Sequence, residues 1–274
     1  MTIHARAKKR LGQHWLTDRR IVQRIAEAAK IEPHETVIEV GPGTGILTEE
    51  LAKRTTHLIA VEVDTVLAES LTEKYRDSSN VSVVMGDVLE MPVEEILNRG
   101  GGGLPYVVVG NLPYFIGSPI VRKFLQAAVK PQRLVVMLQT EVAERIAAPP
   151  GQMGYLSVEM QVMAEARVLF RIPAKAFRPP PKVQSAVVRL DVRDSPDVEV
   201  DDMEAYLRVV AAGFAAPRKR LRNSLAVGLR IQGPEAAAIL ADAGVDPDQR
   251  PSMLTLENWR DIYFATRRRG QASQ

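Results

Sequence analysis

Thr36-Val37-Ile38-Glu39-Val40-Gly41-Pro42-Gly43-Thr44-Gly45 is the stretch that decides the fold. Thr36 to Val40 is β-branched and mostly apolar, as a strand buried on both faces would be. Gly41 to Gly45 is a turn rich in glycine, and from about Ile46 the spacing becomes helical. A strand, a glycine turn and a helix in that order let backbone approach a ligand closely and aim the N–H groups of the helix start at it.

The glycine spacing selects the ligand. A dinucleotide fingerprint wants its third glycine at position 46, where this chain has Ile46. Here the third glycine, Gly45, comes one residue early, and acidic Glu39 lies just before the loop. That Glu-x-Gly-x-Gly-x-Gly form is typical of enzymes that use S-adenosylmethionine, in which no pyrophosphate needs a cradle. A second strand, His57 to Val63, ends in Glu62-Val63-Asp64, about twenty residues on, where a carboxylate takes two ribose hydroxyls. Glu62 is placed for that role, and Asp64 for capping the next helix. A third strand, Val81 to Met85, ends in Gly86-Asp87, and Asp87 either accepts from an adenine amine or caps a turn. Each acid alone is explained equally well by a turn. Glu39, Glu62 and Asp87 at three successive strand ends, with Gly41, Gly43 and Gly45, point together to one cofactor.

Asn98 to Gly103 reads as a loose connection, and Tyr106 to Val109 as a fourth strand leading into Gly110-Asn111-Leu112-Pro113-Tyr114. Asn111 offers one acceptor and two donors without charge, enough to hold an exocyclic amine. Pro113 biases Leu112 toward an extended conformation, which turns the Leu112 carbonyl toward a ligand. Tyr114 supplies a flat face for a planar base. Asn and Pro also favour ordinary turns; the glycine loop upstream decides for a site. Helix Gly117 to Val129, strand Leu134 to Gln139 and helix Glu141 to Ala147 continue the alternation until Pro149-Pro150-Gly151 breaks it. The pattern is that of an α/β protein with a doubly wound, mostly parallel sheet.

Ser157 to Met163 reads as a helix, and Arg167 to Ile172 and Ala186 to Leu190 as strands. Between the strands lies Phe177-Arg178-Pro179-Pro180-Pro181-Lys182-Val183, a loop stiffened by prolines. Phe177 is either a second wall opposite Tyr114 or ordinary core packing. Beyond Asp194 to Val200 the pattern is helical, over Met203 to Ala215, Leu221 to Leu229, Pro234 to Ala243 and Leu256 to Ala265. Near the start, Thr17 or Asp18 caps a helix carrying Ile21, Val22, Ile25, Ala28 and Ala29, with Trp15 and Leu16 as a plug on it.

The 274 residues are 46% hydrophobic and 25% charged, enough for one large core and a smaller module. There is no cysteine, which excludes disulfides, thiolate metal sites and cysteine nucleophiles. Four scattered histidines have no paired ligand spacing, so no metal is expected. No run reaches transmembrane length and no signal peptide is visible, so neither a membrane nor secretion is expected, and the protein reads as cytoplasmic. Net charge is only +3, yet residues 1–17, 166–190 and 213–232 carry arginines and lysines and no acid. Arg6, Lys8, Lys9, Arg10, Lys182, Arg218, Lys219, Arg220 and Arg222 thus suit a polyanionic partner. The last four crowd a helix start, where the macrodipole disfavours cations and an outside anion would help.

With these residues in order, the whole chain resembles the rRNA adenine N6-dimethyltransferases, most closely the small-subunit (16S) type. The likeness rests on Leu11-Gly-Gln-His-Trp-Leu16, Glu39-Val-Gly-Pro-Gly-Thr-Gly45, Glu62-Val-Asp64, Gly86-Asp87, Asn111-Leu-Pro-Tyr114 and Phe177-Arg-Pro-Pro-Pro-Lys-Val183. It implies a Rossmann-like class I methyltransferase sheet with an antiparallel last strand, followed by a small helical domain. The expected division is a basic arm, 1–17, a methyltransferase domain, 18–195, and a helical RNA- or ribosome-binding domain, 196–274. Cofactor contacts carried over from the family fall on His14, Leu16, Gly41, Glu62, Asp87 and Asn111, with Val88 beside them. The family commonly has Phe-Gly-Gln-Asn-Phe-Leu where this chain has Leu11, His14 and Trp15. Asn111, Leu112, Pro113, Tyr114 and Phe177 make the implied catalytic set. The implied reaction is dimethylation at N6 of two adjacent adenosines near the 3′ end of 16S rRNA, within an assembling 30S subunit, by a monomer. Two alternatives are a 23S rRNA methyltransferase of the macrolide-resistance kind and an assembly or transcription factor on the same fold.

Overall fold

Strand burial follows from which runs are apolar throughout. The computed structural model describes residues 13–272. Its first elements are β1 (Trp15–Leu16), α1 (Arg19–Ala28), β2 (Thr36–Val40), α2 (Ile46–Leu51), β3 (His57–Glu62), α3 (Thr65–Lys74) and β4 (Val81–Met85). Then come α4 (Val93–Gly100), β5 (Tyr106–Asn111), α5 (Gly117–Gln126), β6 (Arg133–Gln139) and α6 (Thr140–Ile146). They are followed by α7 (Tyr155–Gln161), β7 (Ala164–Ile172), β8 (Phe177–Arg178) and β9 (Ser185–Val192). One sheet holds seven strands in the order β4-β3-β2-β5-β6-β9-β7. β2, β3, β5 and β6 are buried almost end to end, whereas the edge strand β4 is only partly buried. β4, β3, β2, β5 and β6 run parallel, and β9 lies antiparallel to β6. The sheet is thus mostly parallel with an antiparallel last strand.

Asp18, not Thr17, caps α1: its carboxylate accepts from the N–H groups of Arg20 at 2.9 Å and Ile21 at 3.4 Å. At the other end of α1, Arg133 of β6 donates to the carbonyls of Ala29 and Lys30 and to both carboxylate oxygens of Glu35. Burial pushes the Glu35 carboxyl up, but the Arg133 guanidinium and the Glu32 N–H more than offset this and hold it below its ordinary value. A bidentate pair of this kind ties a helix end to two strands.

Two local expectations change. Asn98 to Gly103 is not loose throughout, because α4 runs to Gly100 with Ile96 and Leu97 buried. Gly100 is there for close approach, since a Cβ on it would lie 2.5 Å from Ile59 Cδ1. Trp15 and Leu16 are more than a plug on α1. They pair as β1 with β8, Trp15 opposite Arg178 and Leu16 opposite Phe177.

The chain divides into two compact units, one of residues up to Glu144 plus Glu165–Val192, the other Arg145–Ala164 plus the residues from Arg193 on. The sequence placed the boundary at 195/196, which left 145–164 with the sheet. Met153, Val158 and Val162 instead bury themselves among Tyr206, Val210, Trp259 and Tyr263 of the helical unit. That unit consists of α7 with α8 (Met203–Gly213), α9 (Leu221–Leu229), α10 (Gly233–Asp242) and α11 (Leu256–Ala272). Residues 1–12, which hold Arg6, Lys8, Lys9 and Arg10, lie outside the described residues.

Candidate active site

Chain order reverses between β2 and β5, the position at which open α/β sheets bind ligands. Val40 lies opposite Gly110 in the register, so the glycine loop and the Asn111 segment leave the sheet side by side. A cavity of about 300 Å³ opens there, bounded by the ends of β2, β3 and β5, the turn after β4 and the residues before β1. All of its walls belong to the first unit.

One half of the cavity is the glycine loop with the acids. Gly41, Gly43 and Gly45 all have positive φ, at 69°, 57° and 79°. At Gly43 a Cβ would come within 3.2 Å of the Trp15 indole, so the cradle would close if the loop carried side chains. Glu62 is 4% exposed, and its oxygens accept from Gly43 N at 3.0 Å and Asp64 N at 2.9 Å. Burial pushes its carboxyl up, against the pull of those N–H groups. A carboxylate has about four lone-pair positions, so these bonds leave capacity for a further donor. Asp87 lines the cavity and accepts from Leu89 N with one oxygen, at 2.8 Å, as a turn residue does. Asp64 caps α3 through Val66 N at 3.2 Å. Glu39 is fully buried under the loop, and burial pushes its carboxyl up to about 8, opposed by the Thr48 hydroxyl and reinforced by the charge of Glu62.

The other half is built from contacts distant in sequence. Asn111 donates from Nδ2 to the backbone carbonyl of His14, 97 residues away, at 2.9 Å. A carbonyl can only accept, so this bond settles which way the amide points and leaves Oδ1 as its acceptor end. Leu112 N–H is held by the Met137 carbonyl at 3.2 Å. The Tyr114 hydroxyl shares a hydrogen bond of 2.6 Å with Ser185, which is fully buried at the start of β9. Burial raises the Tyr114 phenol above its ordinary value, and Ser185 pulls the other way. The His14 ring stacks in an offset manner on the Tyr114 ring, with centroids 5.6 Å apart and planes 23° from parallel.

A glycine cradle, a ribose-type carboxylate and a neutral amide at a switch point fit a methyltransferase acting on an amine. The chain matches the family described as Ribosomal RNA adenine dimethylase over residues 4–262. It belongs to that family. Among its relatives, the Ribosomal RNA small subunit methyltransferase A of Dehalococcoides mccartyi (strain ATCC BAA-2100 / JCM 16839 / KCTC 5957 / BAV1) is 42% identical, over 94% of this chain and 87% of the relative. That of Syntrophotalea carbinolica is also 42% identical, over 93% of this chain and 94% of the relative. Among solved structures, the 23S rRNA methyltransferase ErmE superposes with a TM-score of 0.72 at 31% identity, covering 92% of this chain and 98% of that one. A dimethyladenosine transferase from Plasmodium falciparum gives a TM-score of 0.79 at 21% identity, over 94% and 98%, which speaks to the fold.

In this rRNA adenine dimethylase the cavity gathers His14, Gly41, Gly43, Glu62, Asp87, Val88, Asn111, Leu112, Pro113 and Tyr114. Three expected residues lie elsewhere. Phe177 is 1% exposed and belongs to the core with Leu16, Val22 and Val109, so it forms no wall opposite Tyr114. Its strand pairing with Leu16 takes the ring inward. Leu16 is likewise 4% exposed in that core. Gly45 is the N-cap of α2, where its αL backbone is needed and a Cβ would meet Leu71. Other wall residues escaped the sequence reading, two of them well exposed. Phe115 and Val63 line the cavity while 62% and 49% exposed, and the signal for both was an apolar side chain just past a strand end. Of the basic residues, Lys182, Arg218, Lys219 and Arg220 are exposed. Arg220 and Arg222 both pair with Asp248, at 3.3 and 3.1 Å, so part of the charge at the start of α9 is already met from inside the chain. Among the described residues no cluster of three His, Asp or Glu is arranged to hold a metal, and no helix is long and apolar enough to cross a membrane.

Proposed function

We propose that this cavity moves methyl groups from S-adenosylmethionine to N6 of two adjacent adenosines near the 3′ end of 16S rRNA, giving N6,N6-dimethyladenosine in an assembling 30S subunit. The observation that carries the reading is the Asn111 amide on the cavity wall, whose nitrogen is tied to the His14 carbonyl, which leaves its oxygen as the acceptor end. The small-subunit substrate is supported by the names of the relatives at about 42% identity.

The cofactor fits the residues present. Glu62 has acceptor capacity left for a ribose hydroxyl, Asp87 has an oxygen left for an adenine amine, and the Gly41–Gly43 cradle leaves space that a side chain would fill. When bound, S-adenosylmethionine supplies a methyl group already activated on a sulfonium. The chain's own work is on the acceptor base. The N6 lone pair of adenine is delocalised into the ring and reacts poorly. N6–H donation to Asn111 Oδ1 and the Leu112 carbonyl favours a more tetrahedral nitrogen whose electrons point across the cavity. Tyr114 holds the extruded ring, offsetting the few kcal/mol lost on unstacking. Such positioning is worth about 7–11 kcal/mol of a barrier. No general base is assigned, because the methylated nitrogen is cationic and gives its proton to water.

Lys182, Arg218 and Lys219 are exposed, which supports contact with rRNA phosphates. The reading takes the protein to act as a monomer in the cytoplasm, where subunits assemble. A second reading, methylation of 23S rRNA, is favoured by the 31% identity to ErmE. Incubating the protein with labelled S-adenosylmethionine and undermethylated 30S or 50S particles, then identifying the nucleoside by mass, separates them. Dimethyladenosine from 30S alone is expected. Label in 50S adenosine would favour the second reading, and label in neither would refute both.

A further inference from the structure

Among the described residues no large apolar side chain is more open to solvent than Phe115, and it lines the cavity. A single exposed apolar side chain is ordinary in itself. This one differs in how firmly its backbone is placed. The Pro113 carbonyl accepts from Ile116 N–H at 3.1 Å, closing a turn whose two central residues are Tyr114 and Phe115. α5 begins at Gly117, packed so closely on β6 that a Cβ there would lie 2.3 Å from Leu138 Cδ2. The turn is therefore held at both ends. Within it the two rings part: Tyr114 is half-buried, bonded to Ser185 and stacked with His14, while Phe115 stays in solvent. Val63, the other exposed apolar wall residue, follows Glu62 on the side proposed for the cofactor. Phe115 follows Tyr114, on the side proposed for the base.

We propose that Phe115 is a stacking platform for the second adenosine of the pair, holding its base at the cavity mouth while the first is inside. This rests on the adenine reading of the cavity given above. One phosphodiester joins the two nucleotides, so extruding the first base takes a stacking partner from the second at the mouth. A phenyl ring replaces that partner without reading sequence, because every base has a π face. It does so at low entropic cost, with two side-chain torsions to fix on a backbone already held. Phe115 thus acts on binding of the pair and not on the reacting nitrogen, which is the work of Asn111 and Leu112.

The test measures kcat and KM for methyl transfer to undermethylated 30S particles, and S-adenosylmethionine affinity by calorimetry, for wild type and three variants. Phe115→Ala is expected to raise KM for the particle about tenfold, with kcat and the cofactor Kd within about twofold of wild type. Phe115→Tyr keeps the ring and is expected to stay within about threefold of the wild-type KM. Phe115→Leu keeps apolar bulk without a ring, and its KM is expected to stay raised by about fivefold or more. Should Phe115→Ala not fold, the Tyr and Leu variants make the same comparison. A second arm uses particles in which one adenosine of the pair is replaced by uridine, in both orders. Uracil stacks less, so the penalty of Phe115→Ala should shrink to about threefold or less in at least one order. The proposal is overturned if Phe115→Ala leaves KM unchanged, if kcat or cofactor affinity falls instead, if Leu rescues as well as Tyr, or if the penalty is undiminished in both orders. Wild type that leaves the particle unmethylated would instead overturn the adenine reading itself.

Discussion

The two halves of the cavity are built in opposite ways. On the side proposed for the cofactor the acids stand at strand ends and make mostly short-range bonds, Glu62 to Asp64 N, Asp87 to Leu89 N and Asp64 to Val66 N, with Gly43 N reaching Glu62 from the neighbouring loop. On the base side the groups are held from far along the chain, Asn111 by His14, Tyr114 by Ser185, and His14 by Pro179. The first half rests on the ends of three neighbouring parallel strands, and the second needs in addition β9 and the strand pair β1–β8. It follows that changes on the cofactor side act on ligand affinity, while changes on the base side act on turnover or on stability.

Phe177→Ala tests that division most severely. A ring buried this deeply costs about 3–5 kcal/mol when removed. Urea unfolding should report that loss, and a stable but slow variant would instead mark Phe177 as a wall of the site. Glu62→Gln comes next. It leaves one buried N–H unpaired and removes a charged acceptor, worth roughly 1.5–3 kcal/mol. Titration calorimetry should show a weaker complex with S-adenosylmethionine, with kcat at saturating cofactor near wild type. Loss of kcat with unchanged affinity would erase the distinction between the halves.

Glu39→Gln sharpens it from beneath the loop. Burial holds the Glu39 carboxyl at about 8 in the fold against 4.5 as its ordinary value. Between those values the folded chain keeps a proton that the unfolded chain has released. Its stabilising contribution is therefore complete below about 4.5 and is lost as pH rises through about 8, a change on the order of a few kcal/mol. The variant should flatten the decline in stability measured by urea midpoints from pH 5 to pH 9. An unchanged slope would show that another group carries it. Tyr114→Phe is the mildest change. It keeps the ring and removes the bond to Ser185, about 1 kcal/mol, so kcat/KM for the particle should fall about fivefold with cofactor affinity unchanged.

The same contrast explains what was legible in the sequence. The parallel sheet, the switch point and the places of Glu62, Asp87 and Asn111 beside the cavity at strand ends were legible because strand periodicity and turn chemistry are local. The burial of Phe177 did not, since its environment is set by Leu16, and no pattern within Phe177 to Val183 refers to residue 16. His14 on Tyr114 was invisible for the same reason. The boundary of the helical unit was misplaced because Met153, Val158 and Val162 have helical spacing in either unit, and only packing assigns them. Arg220 and Arg222 looked like cations awaiting an anion until the fold brought Asp248 beside them.

The most direct measurement is Asn111→Ala, with S-adenosylmethionine affinity and single-turnover methyl transfer to undermethylated 30S particles read separately. The account predicts affinity within a few-fold of wild type and transfer slower by about 100-fold, the scale of losing one preorganised hydrogen-bonding group at a reacting centre. Transfer at the wild-type rate would contradict it.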